Sequence, residues 1–119
     1  KEQLGQVTRK GDEEWGDIVR WTLNAMINAE ELGITSANAA DMAADADASA
    51  GVKRLLGVEG GYGAMLGLSD DAFLNALSQV GNYAESFERN VGPDTAVGLD
   101  RGLNALWTDG GILYAPPFR

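Results

Sequence analysis

One amphipathic stretch constrains this chain more than any other feature. Between Asp12 and Gly33, the residues Trp15, Ile18, Val19, Leu23, Met26 and Ile27 recur at spacings of three and four, the repeat of one helical face. Asp12 is placed to cap the helix, and Glu13 and Glu14 sit in the first turn, where negative charge offsets the macrodipole. Leu32 is the expected end, with Gly33 as a left-handed cap. A stripe this broad must lie on something. Immediately before it, Leu4-Gly5-Gln6-Val7-Thr8-Arg9 reads as a strand, because Val7 and Thr8 favour extended geometry and Gly11 then breaks the run. The next extended candidate is Ile112-Leu113-Tyr114, far along the chain, so the strand lacks a nearby partner. Unpaired strand backbone calls for a missing segment or another molecule.

The remaining elements are also mainly helical. Thr35 or Ser36 is placed to cap a helix running through Asp41 and Met42 into Ala39–Ala50, a tract of alanine and aspartate expected to be solvated and poorly packed. Val52–Leu56 reads as a short helix burying Val52, Leu55 and Leu56. Glycines 57, 60, 61, 63 and 67 mark a loop-rich passage. One long helix is predicted from Ser69 to Asn90, buried through Phe73, Leu74, Leu77, Val80, Ala84 and Phe87 and stopped by Gly92-Pro93. A last helix from Leu99 to Trp107 would bury Leu99, Leu103, Leu106 and Trp107. The tail Tyr114-Ala115-Pro116-Pro117-Phe118 is held extended by its prolines. The fold class is mainly α, with four to five helices and one N-terminal strand.

Charge and composition narrow the function. Nine Lys and Arg against 18 Asp and Glu give a formal charge of -9, so nucleic acid and anionic membrane surfaces are repelled at long range. The basic residues are scattered and form no stripe interleaved with aromatics. Histidine and cysteine are both absent, which removes thiol chemistry, disulfides, Ser-His-Asp triads and the commonest zinc ligands. No apolar run approaches the roughly 18 residues of a spanning helix. The chain begins at Lys1 rather than methionine, which suggests processing, a designed sequence or a proteolytic fragment.

No candidate site has a complete chemistry. Gly61-Tyr62-Gly63-Ala64-Met65-Leu66-Gly67 has one residue too many before its third glycine, and no strand precedes it, so it reads as a connection between helices. Asp45, Asp47 and Ser49 alternate like calcium ligands, but the glycine falls one place late and Leu56 occupies the position that requires glutamate. The pairs Glu13-Glu14, Glu30-Glu31 and Asp70-Asp71 are adjacent on helices and point in different directions. Trp15 and Trp107 lie on apolar stripes and are expected in the core, while Trp21 is off its helix's stripe and reads as a contact with a missing segment or partner. No catalytic, cofactor or metal residue is assigned.

Several stretches taken in order carry a family resemblance. They are Thr8-Arg9-Lys10-Gly11-Asp12, Ile18-Val19-Arg20-Trp21-Thr22-Leu23, and Asn28-Ala29-Glu30-Glu31-Leu32-Gly33-Ile34-Thr35. Arg54-Leu55-Leu56-Gly57-Val58-Glu59-Gly60, Gln79-Val80-Gly81-Asn82-Tyr83 and Phe87-Glu88-Arg89-Asn90-Val91-Gly92 follow, then Arg101-Gly102-Leu103-Asn104-Ala105-Leu106-Trp107 and Tyr114-Ala115-Pro116-Pro117. Together they resemble the C-terminal third of the general L-amino-acid-binding proteins of polar amino-acid ABC uptake systems. The resemblance implies a periplasmic parent of two α/β lobes, of type 2, that closes on an amino acid and docks on a permease. Residues 1–34 would then complete the first lobe and residues 35–119 form a single helical extension. It implies no enzyme activity and no cofactor, and because the residues that grip the amino acid in such proteins lie mainly in the parts that precede this segment, the ligand-binding residues here stay unknown. Gly16 departs from the family's pattern, which carries an aromatic there, and the Ala/Asp tract at 43–50 is simpler than the family's.

A second reading is a small acidic helical module that binds another protein, with no small-molecule ligand, and a third is a calcium-responsive helical protein. In the first reading the isolated chain is expected to form a homodimer through its uncovered stripe and strand.

Overall fold

The Trp15 N–H donates to Asp12 Oδ1 (3.2 Å), fixing the start of the first helix, α1 (Glu13–Glu31). The computed structural model describes residues 5–119. At the far end of α1, Gly33 takes φ 71°, a left-handed cap that only glycine adopts without strain. The chain continues through α2 (Ala39–Ala44), α3 (Ala50–Leu55), the single turn α4 (Tyr62–Met65), α5 (Ala72–Val80) and α6 (Tyr83–Val91). Two 3-10 turns, Gly102–Asn104 and Trp107–Asp109, precede an extended tail. The architecture is mainly α, as the periodicity predicts.

Two apolar clusters flank α1. The larger joins Ala25 and Ala29 of α1 to Ile34, Ala39, Val52, Leu55, Leu56, Phe73, Leu77 and Phe118. The smaller joins Ile27 to Leu106 and Ala115, with Leu23, Tyr83 and Leu113 against it. Ala25 and Ala29 are one turn apart, and their small side chains leave room for α3 and α5 to approach. Ile27 points to the other side. Burial therefore falls on the second half of α1, whereas Trp15 is half exposed and Ile18 and Val19 are only partly covered. The expected core role of Trp15 is corrected: α3, α5 and α6 fold back over the C-terminal half of the helix and leave its first turns open.

Other expectations change as well. Among the described residues, Gly5–Arg9 form no strand and Val7 is 92% exposed, because a strand gains its stability from a ladder and none is available here. Leu4 lies outside the described residues. Ile112–Tyr114 contribute a single parallel bridge between Leu113 and Leu106.

The helix predicted from Ser69 to Asn90 is two helices. Gly81 at φ 89°, ψ -179° ends α5, a conformation closed to residues with a Cβ, and Asn82 starts α6. The final helix from Leu99 to Trp107 is replaced by the 3-10 turns, leaving Leu99, Leu103 and Trp107 exposed and only Leu106 buried. Helix packing of that stretch yields to tertiary anchoring, for Arg101 within it is drawn to α1. The Ala/Asp tract packs better than expected: Ala39 is fully buried, and Met42, Ala43 and Ala48 rest on the larger cluster. Small side chains there let α2 lie close to α5. Val52, Leu55 and Leu56 are buried as predicted.

Candidate functional site

The acidic groups weighed in the sequence do not assemble into a site. The Asp47 N–H donates to Asp45 Oδ1 (2.9 Å), closing a turn on itself, and among the described residues no three His, Cys, Asp or Glu side chains converge on a metal position. Glu13 and Glu14 occupy the first turn of α1. Hydrogen bonds from the side chains of Ser69 and then Asn75 hold the Asp71 carboxyl below the usual aspartate range, as befits a group at the start of α5. Gly61 leads directly into α4, so the glycine-rich passage is a connection between helices.

Three polar junctions organise the molecule instead, and all reach the C-terminal half of α1 or the loop that follows it. In the first, Asn28, 8% exposed, donates from Nδ2 to Asn24 O within α1 (2.9 Å) and to Pro116 O in the tail (2.8 Å). That bond seats the tail between the clusters, with Ala115 in the smaller and Phe118 in the larger. Phe118 meets the rings of Trp21, Tyr62 and Phe73 edge-to-face at 5.3, 5.5 and 5.1 Å. Trp21 therefore packs on this chain's own tail.

In the second junction, the Arg101 guanidinium donates to Glu30 Oε1 and Oε2 (2.9 and 3.1 Å) and to Asn104 O (3.0 Å). It also lies 5.4 Å from the ring centres of both Tyr83 and Phe87. A planar cation suits this position because it stacks on rings while its edge binds the carboxylate. Beside it, Trp107 Nε1–H donates to Glu31 Oε2 (3.3 Å), so the two adjacent glutamates each hold a different turn.

The third junction is at the head of α6. Asn82 and Glu85 form a capping box: the Glu85 N–H donates to Asn82 Oδ1 (2.9 Å) and the Asn82 N–H to Glu85 Oε2 (2.8 Å). The buried Asn82 donates from Nδ2 to Ile34 O (2.8 Å), while Ser36 donates to Glu85 from its N–H (3.0 Å) and from Oγ (2.6 Å). Partial burial raises the Glu85 pKa, but the bonds from Ser36 and Asn82 and the charge of Arg89 outweigh it and leave it lowered.

No buried side-chain polar atom among the described residues lacks a partner. These groups are donors and acceptors consumed by the fold. Asn28, Asn82, Arg101 and Phe118 were not singled out as functional by pattern alone; only Asn82-x-x-Glu85 carried a readable signal, the capping-box spacing.

No family model matches the chain. Over 119 residues, all of its length, it is 53% identical to the glutamate/glutamine/aspartate/asparagine-binding protein BztA of Rhodobacter capsulatus. It is 54% identical over the same span to the putative amino-acid ABC transporter-binding protein YhdW of Escherichia coli. Identity to the general L-amino acid-binding periplasmic protein AapJ of Rhizobium johnstonii is 50% over 121 aligned positions. The chain spans 35% of the length of each of these relatives. A solved ABC transporter periplasmic binding protein from Brucella ovis, with glutathione bound, superposes with a TM-score of 0.85 at 46% identity. The match covers 94% of this chain and 35% of that one. The turns, junctions and tail described above thus occur in a chain that is, along its whole length, a homologue of the amino-acid-binding proteins of ABC transporters and matches 35% of such a protein.

Proposed function

We propose that this segment serves a periplasmic solute-binding protein that captures amino acids and presents them to an ABC-transporter permease, and that it has no enzymatic role. The carrying observation is identity of 50–54% along the entire chain to proteins named for amino-acid binding. In this reading residues 1–34 complete the first lobe and residues 35–119 are a helical extension folded back on α1. The junctions support such a scaffolding role, because they fix the extension to α1.

The decisive experiment is calorimetry on a protein of the relatives' full length, titrated with glutamate, glutamine, aspartate, asparagine, neutral amino acids and glutathione. Saturable binding of one or more amino acids is expected, and the 119-residue chain alone should give no heat. Binding of glutathione with no amino acid would overturn the reading.

Standing alone, the chain dimerises through the open first half of α1. Trp15 is exposed there and Val7 in the stretch before it, and Arg9, Lys10 and Arg20 share a groove with Asp12, Glu13 and Asp17, offering both signs of charge to a second copy. A monomer in light scattering, with one cooperative melting transition, would refute this.

A further inference from the structure

The 3-10 turns near the C terminus carry large apolar side chains outward. Leu103 is 56% exposed, Trp107 53%, Ile112 74% and Tyr114 61%. They are neighbours. The Ile112 N–H donates to Leu103 O (3.0 Å), the Trp107 N–H to Leu113 O (3.0 Å), and the rings of Trp107 and Tyr114 meet edge-to-face at 6.2 Å. Exposed apolar residues scattered singly need no explanation, but a contiguous group with Trp and Tyr at its centre has the composition of an interface core.

The platform beneath them is stiff. Leu106 is buried in the smaller cluster, the Gly111 N–H donates to Leu106 O (2.9 Å) and the Leu113 N–H to Ala105 O (3.1 Å). Such a surface is organised before any contact is made, which lowers the ordering cost of binding. Its rim is acidic: Glu31 touches Trp107, Asp109 closes the second turn, and Asp100 precedes the first. The nearby cation, Arg101, is engaged by Glu30.

We propose that this face docks a protein partner whose own surface has an apolar centre ringed by lysine or arginine. Charge complementarity selects that partner over a second copy, since a symmetric contact here would bring this acidic rim against the same acidic rim of the other copy.

The test uses a fluorescein-labelled amphipathic helical peptide with a leucine face flanked by lysines, and its counterpart with glutamates for lysines. Anisotropy titration should show binding of the lysine peptide and none of the glutamate peptide. The double substitution Leu103→Asp with Ile112→Asp adds negative charge while removing the apolar centre. The proposal requires affinity to fall by at least about tenfold, whereas attraction by charge alone would keep or raise it and overturn the proposal. Both side chains are exposed, so circular dichroism should be unchanged; Ile112→Ser repeats the test with a milder change and should weaken binding in the same direction. Met65→Asp, on an exposed residue of α4, should leave affinity unchanged. Two further results would overturn the assignment. One is loss of a self-associated species by the double variant, which gives the face to a second copy. The other is a fall of several degrees in the melting temperature of a protein of the relatives' full length, which gives it to intramolecular packing; the expected shift is within about one degree.

Discussion

Phe118→Ala removes the side chain that holds the tail in the larger cluster. Phe118 is 6% exposed and second from the end of the chain, yet it touches three aromatic rings edge-to-face. Truncating a buried phenylalanine costs about 3–5 kcal/mol. The lower end applies here, because the site borders a depression of ≈ 250 Å³ lined by Trp21, Tyr62, Met65 and Leu66, and neighbours can relax into the space. A loss of about 3 kcal/mol is a large part of the roughly 6–18 kcal/mol available to a chain of this size. It should lower the melting temperature by roughly 10–15 °C. Phe118→Leu keeps much of the apolar area but loses three ring pairs worth about 0.5–1.5 kcal/mol each, so an intermediate loss of about 2 kcal/mol is expected. Thermal and urea unfolding followed by circular dichroism give these values, and Trp21 emission should shift to the red in the alanine variant. A melting temperature for Phe118→Ala within about 2 °C of the parent would show that the tail does not seal the core.

Arg101→Ala should cost about 2–3 kcal/mol in urea unfolding, because it leaves the mostly buried Glu30 carboxylate without its cation; pairing Arg101→Met with Glu30→Gln should recover at least half of that. The Glu85 pKa is lowered in the fold, so its contribution is complete above the ordinary glutamate value of 4.5 and is lost as pH falls through the folded value. Glu85→Gln should accordingly flatten the acid limb of a stability–pH curve, and an unchanged limb would remove Glu85 as its source. Gly16 lies in α1, and a Cβ there would meet only Thr8 Oγ1 at 3.4 Å. Gly16→Ala should therefore stabilise the chain by about 0.5–1 kcal/mol, measured as a rise in the urea midpoint.

Much of the fold was legible from the chain alone. The cap at Asp12, the α1 periodicity and the stop at Gly33 are local features, and each is set within a turn or two of backbone. The same holds for the Val52–Leu56 helix and the proline-held tail. The likeness to amino-acid-binding proteins, too, was readable, because it rests on the order of short segments. The structure gives that order a physical basis: Asn28 meets Pro116, Glu30 meets Arg101, Glu31 meets Trp107, and the carbonyl of Ile34 meets Asn82. The segment Asn28–Thr35 is thus the hub to which three of the other segments are tied.

What the sequence could not decide was which half of the α1 stripe would be covered. Periodicity marks a face but not its partner, and it weighs Trp15 and Ile18 above the alanines at 25 and 29 that admit α3 and α5. Periodicity alone also does not divide Ser69–Asn90, since the apolar spacing runs through Gly81 without interruption, although Gly81 followed by the capping-box spacing Asn82-x-x-Glu85 is a local mark of the break. What the fold adds is the bond from Asn82 to Ile34, 48 residues away. Within the predicted helix at Leu99–Trp107, Gly102 takes φ 49°, outside the helical region, and Arg101 reaches 71 residues back to Glu30. Local propensity acts over a few residues at tenths of a kcal/mol each, whereas one partly buried ion pair or one satisfied buried amide acts across the whole chain and outweighs it.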